Sequence, residues 1–559
     1  MRATFFGIEI GKTGIQVSQL GLDVTGHNIA NIDTKGYTRQ RIVSTAYDPF
    51  ATIGRALPRD QARVGGGVRV KILDQIRSAY LDKRYRLENT AFSYWNKRAE
   101  SLSYVESFFD NVNEETSINF SLARFFEAMK VLSEDSVEGA PRKLLQTAGE
   151  DLTQQLNMIY DGLIELQESQ DKSVEVAIGE INRIAQEIVD LNKSIYGFEI
   201  TGHIANDLRD KRNLLLDELS ILIDTEYEEI SDGLGNFVLE VSIGGTKLVS
   251  HDKLSQLGVY KTENMIEGEA DVWTPAWVSI LGKNYASVVK ELPPGGIISD
   301  YTEINYPNGV PRYILTTDLG NLTDLDMSVI KGGELKAYID MRDNSGVELP
   351  GIPRYIEMLN NLARALVQEI NTVHNLGWTD PPTGASATGV NFFYFDALDP
   401  QGIDQITAKN IRLSDEVAKS EYNIAASSEQ IVKQGAPNEL QRGNNENMND
   451  LYALFLLKDI EVTLSSGSSV AIGSFDGFAT SVRFDVANTL NYAHKTAITS
   501  NTLQIAAENQ RVSVSGVSLD EEMTNIVKYQ HAYSGAARVI TAMDEVLDRL
   551  INGTGRVGL

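Results

Sequence analysis

Met1-Arg2-Ala3-Thr4-Phe5-Phe6-Gly7-Ile8-Glu9-Ile10-Gly11-Lys12-Thr13-Gly14-Ile15-Gln16-Val17-Ser18-Gln19-Leu20-Gly21-Leu22-Asp23-Val24-Thr25-Gly26-His27-Asn28-Ile29-Ala30-Asn31-Ile32-Asp33-Thr34-Lys35-Gly36-Tyr37-Thr38-Arg39-Gln40, read together with Gly516 to Leu559, is the stretch on which the fold turns. Within it Ile8, Ile15, Leu22 and Ile29 fall seven residues apart, and the positions three further on, Gly11, Ser18 and Thr25, are all small. A repeat of that period forms a seam for a second helix, and small neighbours let the partner come close. Glycines at 7, 14 and 21 each weaken the isolated helix by roughly 1 kcal/mol relative to alanine. The segment therefore predicts a helix that is poor alone and good when clasped. An ordinary amphipathic core helix is the simpler alternative.

The far end of the chain supplies a partner. From Gly516 to Leu559, Leu519, Met523, Ile526, Tyr533, Ala537, Ile540, Leu547 and Ile551 sit at threes, fours and sevens in a proline-free run, interrupted by Gln530 and Asp544. Two half-seams at opposite ends of a long chain predict termini that meet as a stalk.

After the first helix comes Gly26-His27-Asn28-Ile29-Ala30-Asn31-Ile32-Asp33-Thr34-Lys35-Gly36-Tyr37-Thr38-Arg39-Gln40, where Asn and Gly end a helix and turn the chain. This run resembles the N-terminal motif of bacterial flagellar rod, hook and hook-associated proteins, the axial protein family. Its Gly-Tyr-Thr-Arg-Gln ending is similar to that of the members found at the hook–filament junction. Further phrases resemble the same group: Gly67-Val68-Arg69-Val70 through Tyr80-Leu81, Ala205-Asn206-Asp207-Leu208-Arg209-Asp210-Lys211-Arg212, Asn371-Thr372-Val373-His374-Asn375-Leu376-Gly377, and Gly443-Asn444-Asn445-Glu446-Asn447-Met448-Asn449-Asp450-Leu451. Hook and rod subunits resemble this chain chiefly at its ends, so the interior phrases favour a junction protein over them.

The totals bound the rest. A chain of 559 residues exceeds one core and predicts three or four domains of roughly 100–200 residues. With 50 Lys and Arg against 77 Asp and Glu, its net charge is −27. That polyanion is a poor partner for nucleic acid or an anionic membrane, whose phosphates would repel it. There is no cysteine, which excludes disulfides, thiolate metal sites and cysteine nucleophiles. No run of about 18 apolar residues predicts a membrane span, and the N-terminus lacks the pattern of a Sec signal. The resemblance implies a different route, export through the flagellar type III apparatus to an extracellular place at the hook–filament junction.

Along the chain, Pro49, Pro58 and Gly65-Gly66-Gly67 precede alternation in Val68-Arg69-Val70-Lys71-Ile72, which predicts a hairpin strand. A phosphate loop would need a Lys-Ser/Thr ending that is missing. Helices follow over 77–111 and 116–133. The clearest period runs through Leu145, Ala148, Leu152, Leu156, Ile159, Leu163, Leu166, Val174, Ala177, Ile181, Ile184, Ile188, Leu191 and Ile195, with one polar slot at Gln170. As one helix, with Pro141 in its first turn, it would span roughly 75 Å and needs antiparallel partners. The charges of 206–212 read as a solvated face of a further helix.

Beyond Thr225 the period turns to two: Phe237, Leu239, Val241 and Ile243 alternate before the Gly244-Gly245 turn. Trp273 and Trp277 sit in a β-rich stretch read as an insertion whose aromatics pack a core, with glycan binding the alternative. Helix returns at 332–343 and 355–373, where His374 before a Gly stop predicts a C-cap interaction. A mixed region to about 435 precedes the closing helices.

Catalytic patterns are missing. Six histidines at 27, 203, 251, 374, 494 and 531 are scattered singly, with no zinc-binding His pair and no Gly-x-Ser-x-Gly elbow. Two of the many carboxylates could converge as a glycosidase pair, but no motif anchors one. Asp520, Glu521 and Glu522 read as first-turn residues favoured by the helix dipole. No enzyme activity, cofactor or metal is expected.

The expected fold class is mixed and mainly α. Terminal helices, 1–40 with 516–559, pair as a coiled-coil-like stalk. A long antiparallel bundle with small β elements comprises 41–260, 330–379 and 436–515. A β-rich insertion covers 261–329 and a mixed α/β insertion 380–435. The resemblance implies a structural junction layer that self-assembles helically and touches the hook protein, the next hook-associated protein and the filament, with an export chaperone before assembly and neither nucleic acid nor membrane as partner. The residues expected to carry assembly are Ile8, Ile15, Leu22, Asn28, Ile29, Asn31, Thr34, Gly36, Tyr37, Leu519, Met523, Ile526, Tyr533, Ile540, Leu547 and Ile551. The rival readings are a hook or rod subunit, an exported cell-wall hydrolase with axial-type ends, and a cytoplasmic coiled-coil scaffold.

Overall fold

The computed structural model describes residues 6–47, 65–109, 117–233, 236–262, 272–280, 283–284, 301–304, 312–315, 325–382, 385–396, 398–431 and 443–553. Its spine is α4 (Gly139–Glu199), 61 residues long, or about 90 Å at 1.5 Å per residue. The helix starts two residues before Pro141, which sits where its missing N–H costs nothing.

Two hydrophobic clusters share this spine. Leu145, Leu152, Leu156, Ile159 and Leu163 pack with α2 (Ala79–Phe109), α3 (Ile118–Glu134) and α7 (Ile352–His374), whereas Val174, Ile178, Ile181, Ile184 and Ile188 pack with α5 (Asn206–Leu222), the strands that follow α5, and α6 (Glu334–Asp343). The polar slot falls between them. Gln170 is buried and its Oε1 accepts a hydrogen bond from Ser101 at 3.3 Å, so the break in the apolar stripe marks the change of core.

The alternating segment forms an antiparallel sheet, β3 (Glu226–Ser231), β4 (Phe237–Ile243), β5 (Thr246–Ser250) and β6 (Lys253–Leu254). Leu239, Val241 and Ile243 point into the second core. A second sheet has the order β10-β11-β7-β8-β9, built from β7 (Gln256–Thr262), β8 (Thr274–Ile280), β9 (Lys283–Asn284), β10 (Tyr301–Ile304) and β11 (Arg312–Leu315). In it β11 runs parallel to β7. A boundary at 261 therefore cuts a strand, and Trp277 on β8 is buried in the second core.

Residues 380–435 also differ from the reading of them as a separate insertion. Phe392, Phe393, Ile406, Ile411 and Val417 belong to the first core, with Phe392 and Phe393 against Phe125 of α3. Their apolar spacing is irregular because they lie on loops and short turns, which periodicity does not detect. His374 is no C-cap either: wholly buried, its Nδ1 lies 2.7 Å from the Val390 carbonyl and its Nε2 accepts the Ala425 N–H at 2.9 Å. One neutral ring thus ties α7 to two loops, and burial lowers its pKa to about 4.

The chain closes through α8 (Glu446–Ala453), the hairpin β12 (Ile460–Thr463) and β13 (Ser469–Gly473), α9 (Phe475–Ser515) and α10 (Leu519–Asn552). Helix α9 lies antiparallel to α2, pairing Gln510 with Arg84 and Tyr492 with Trp95. Arg511 and Arg86 grip the two oxygens of Asp217 at 2.6 and 2.7 Å, joining α9, α2 and α5.

Candidate assembly interface

Helix α1 (Phe6–Ala30) and α10 pack antiparallel as the stalk. Their seam is made of small residues. A β-carbon added at Gly11 would come within 2.6 Å of Ile540, and one at Gly21 within 2.5 Å of the Tyr529 ring; Gly7 faces Met543 and Gly14 faces Ala536. Ser18 and Thr25 are buried on the same face, and their hydroxyls donate to the Gly14 and Gly21 carbonyls at 2.8 Å. The glycines that weaken α1 alone are thus the notches that admit the large side chains of α10.

This places the seam beside the one the aliphatic repeat suggested. Gly7, Gly11, Gly14, Ser18, Gly21, Thr25 and Asn28 face the partner, and Ile8, Ile15, Leu22 and Ile29 flank them half-buried. On α10 the contact runs through Glu522, Ile526, Tyr529, Ala536, Ile540, Met543 and Leu547, so Gln530 and Asp544 lie outside it and interrupt nothing. Leu519, Met523, Tyr533 and Ile551 are 50, 52, 40 and 64% exposed. Close backbone approach selects the small face, and two bulky faces could not approach as near.

At the root of the stalk, Asn28 uses every hydrogen-bonding position it has. Its Nδ2 donates to the Gln40 carbonyl (2.9 Å) and to Glu522 Oε2 (3.2 Å), and its Oδ1 accepts from the Gln40 N–H (3.0 Å) and the Tyr37 hydroxyl (2.8 Å). An aspartate offers no donor and cannot do this. Asn31 continues the motif by donating to the His27 carbonyl and accepting from Thr34 Oγ1. Gly36, at φ +80°, turns the chain against Leu214, a conformation that favours glycine. Tyr37 stacks edge-on with His27. Burial, then the charges of Asp207, Asp210 and Glu522, raise its phenol pKa well above the ordinary value.

Arg39 completes the root. Its Nε donates to Glu522 Oε1 at 2.7 Å, its Nη1 to Glu521, and its backbone N–H to the Ser515 carbonyl at 2.9 Å. Burial opposes the charged guanidinium, but the two carboxylates outweigh it and leave its pKa raised. Glu522 is thus a buried partner of Arg39 and Asn28 as well as a first-turn acid of α10.

The body holds the other side of this strap. The Thr38 N–H donates to Asp210 at 2.9 Å, Gln40 Nε2 to Asp207 at 2.9 Å, and Arg77 lies beside Asp210 at 3.5 Å. The hairpin β1 (Gln40–Ala46) and β2 (Val68–Gln75) then runs back along α1, where the Val68 N–H donates to Thr13 Oγ1 at 3.3 Å.

A family model described as the flagellar hook-associated protein FlgK helical domain matches residues 102–275, and one described as the flagellar basal body rod FlgEFG protein C-terminal matches 508–553. Flagellar hook-associated protein 1 of Bacillus subtilis (strain 168) is 28% identical over 99% of both chains, and that of Escherichia coli (strain K12) is 24% identical over 98% of this chain and 99% of its own. Over nearly its whole length, then, this chain is similar to flagellar hook-associated protein 1. The flagellar hook junction protein FlgK from Burkholderia pseudomallei shares the fold, with a TM-score of 0.52 at 13% identity over 78% of this chain and all of that one.

One of the phrases quoted for the resemblance has a structural role that charge patterning misread. In the segment 206–212, Asn206, Asp210 and Arg212 are buried: Arg212 pairs with Glu229 and donates to Asn192 Oδ1 at 3.0 Å, half-buried Arg209 pairs with Glu199 at 2.7 Å, and Asp210 receives the strap. Burial raises the Asp210 pKa against the bonds from Thr38. Arg39, Gln40, Asp207, Asp210 and Glu522 carry the root although sequence reasoning did not single them out as site residues. Arg39, Gln40, Asp207 and Asp210 fall inside the phrases quoted for the resemblance, which was the available signal, whereas Glu522 had only its place in the first turn of the last helix. Beside them a cavity of about 820 Å³ is lined by Arg77, Arg86, Arg209 and Arg212, each paired with a carboxylate. Among the described residues no group of His, Asp or Glu could hold a metal ion, and no helix is long and apolar enough to cross a membrane.

Proposed function

We propose that this chain is the structural subunit of the layer joining the flagellar hook to the filament, and that it assembles through the faces its stalk leaves uncovered. The observation that carries this is the apolar surface on two helices already paired. Leu519, Met523, Val527, Val539, Val546, Leu550 and Ile551 remain exposed on α10, with Ile8, Ile15, Leu22 and Ile29 half-covered on α1. Such rows mark sites for further protein surface. Each neighbour burying a few hundred Å² would gain several kcal/mol at about 25 cal/mol per Å², before ordering costs. Contacts of this head-to-tail kind propagate around a tube instead of closing as a dimer.

In this reading the stalk lies innermost and the helical body outside it. The hook protein flanks the layer on one side, and the next hook-associated protein and filament on the other. The chain leaves the cell by the flagellar type III route, with a chaperone covering the exposed α10 rows beforehand. Poor intrinsic stability of α1 then restrains premature polymerisation. Deleting residues 1–30 or 520–559 is expected to abolish incorporation. Normal filaments from the terminal truncations would refute the stalk's role. Absence of the protein from the culture supernatant of a filament-less mutant would refute export.

A further inference from the structure

We infer that the stalk closes from its root outward, with Asn28, Arg39 and Glu522 as the nucleus and the distal turns of α1 and α10 dependent on it. The helices lie at opposite ends of the chain, 494 positions apart at the Asn28–Glu522 bond, so pairing them first would carry a large loop-closure cost. The folded body removes that cost at one place. Bonds from Thr38 to Asp210 and from Gln40 to Asp207 hold the strap on α5, and the Arg39 N–H reaches the Ser515 carbonyl at the end of α9. One turn into α10, Glu522 is then already beside Arg39 and Asn28, and there it is 1% exposed.

Away from the root the seam changes character. From Thr25 to Gly7 it consists of small side chains receiving Tyr529, Ala536, Ile540 and Met543. Each glycine costs the free helix roughly 1 kcal/mol, so a distal turn of α1 gains stability only when the turn before it is already paired. The hairpin bonds α1 at Thr13, 15 residues or about 22 Å from Asn28, and Gly67 lies against Ile10 one turn further on. Toward the tip the seam is the apolar packing of Gly7 on Met543 and Gly11 on Ile540, with none of the buried ionic bonds of the root.

Hydrogen exchange with mass spectrometry on the full-length soluble chain tests this without reference to assembly, so its outcome is separate from that of the junction reading. Amides in 22–30 and 519–530 are expected to exchange at least tenfold more slowly than those in 6–12 and 543–552. In Asn28→Ala exchange of the root amides should rise to the rate of the tip, while α4 and α7 stay protected. Should that variant loosen the body as well, Glu522→Gln, which keeps the size and removes the charge, gives the deciding measurement. Equal protection along the whole stalk, or root protection unchanged in Glu522→Gln, would overturn the proposal.

Discussion

Replacing Gly21 by leucine sets two effects against each other on one helix. Leucine favours helix over glycine by about 0.8–1 kcal/mol, so α1 alone should gain. In the stalk, a β-carbon at this position would lie 2.5–2.7 Å from three atoms of the Tyr529 ring, well inside the roughly 3.5–4 Å that carbon contacts prefer. Those atoms include the ring carbon nearest the backbone, so the ring cannot simply swing its far end away. Overpacking of this kind typically costs about 1–3 kcal/mol, and leucine's three further carbons put the cost near the top, about 3 kcal/mol. The net loss, about 2 kcal/mol, corresponds to roughly a 30-fold weaker pairing.

Gly26→Ala is the matched control, since nothing lies within 4 Å of its β-carbon and its φ is not positive. It should gain up to about 1 kcal/mol, or roughly fivefold. Hydrogen exchange of residues 525–536 reads both. Expected are roughly 30-fold faster exchange in Gly21→Leu and exchange unchanged or slower in Gly26→Ala. If both variants moved the same way, the close-approach seam would be wrong.

Two further outcomes follow from the body. His374 titrates near 6.5 when unfolded and at about 4 in the fold, so between these values the unfolded chain binds the proton first and stability falls as pH drops. Urea unfolding should show about 3 kcal/mol lost from pH 7 to pH 4 on this account, visible as a shrinking gap between the parent and His374→Gln; a constant gap would contradict it. Phe392→Ala removes a wholly buried ring from the first core and should lower the cooperative helical transition by about 3–5 kcal/mol. A transition left in place would mean that residues 380–435 fold as a unit of their own.

Much of this molecule is written in local pattern. The single long helix through Gln170, the alternation of Leu239, Val241 and Ile243, and the turn at Gly36 each follow from a period or a backbone preference that needs no distant partner. The pairing of the ends was also legible, because half-seams at both termini have no other use. Tertiary structure alone decided which face pairs. A heptad offers adjoining stripes, and the glycine stripe won because backbone proximity to Tyr529 and Ile540 counts for more than the bulk of Ile15 or Leu22. It also decided that Asp210 and Glu522 are buried partners and not solvated charges, and that Phe392 shares a core with Phe125. Those contacts join residues hundreds of positions apart, and no local period records them. A charge in a helix looks the same in sequence whether water or a strap meets it.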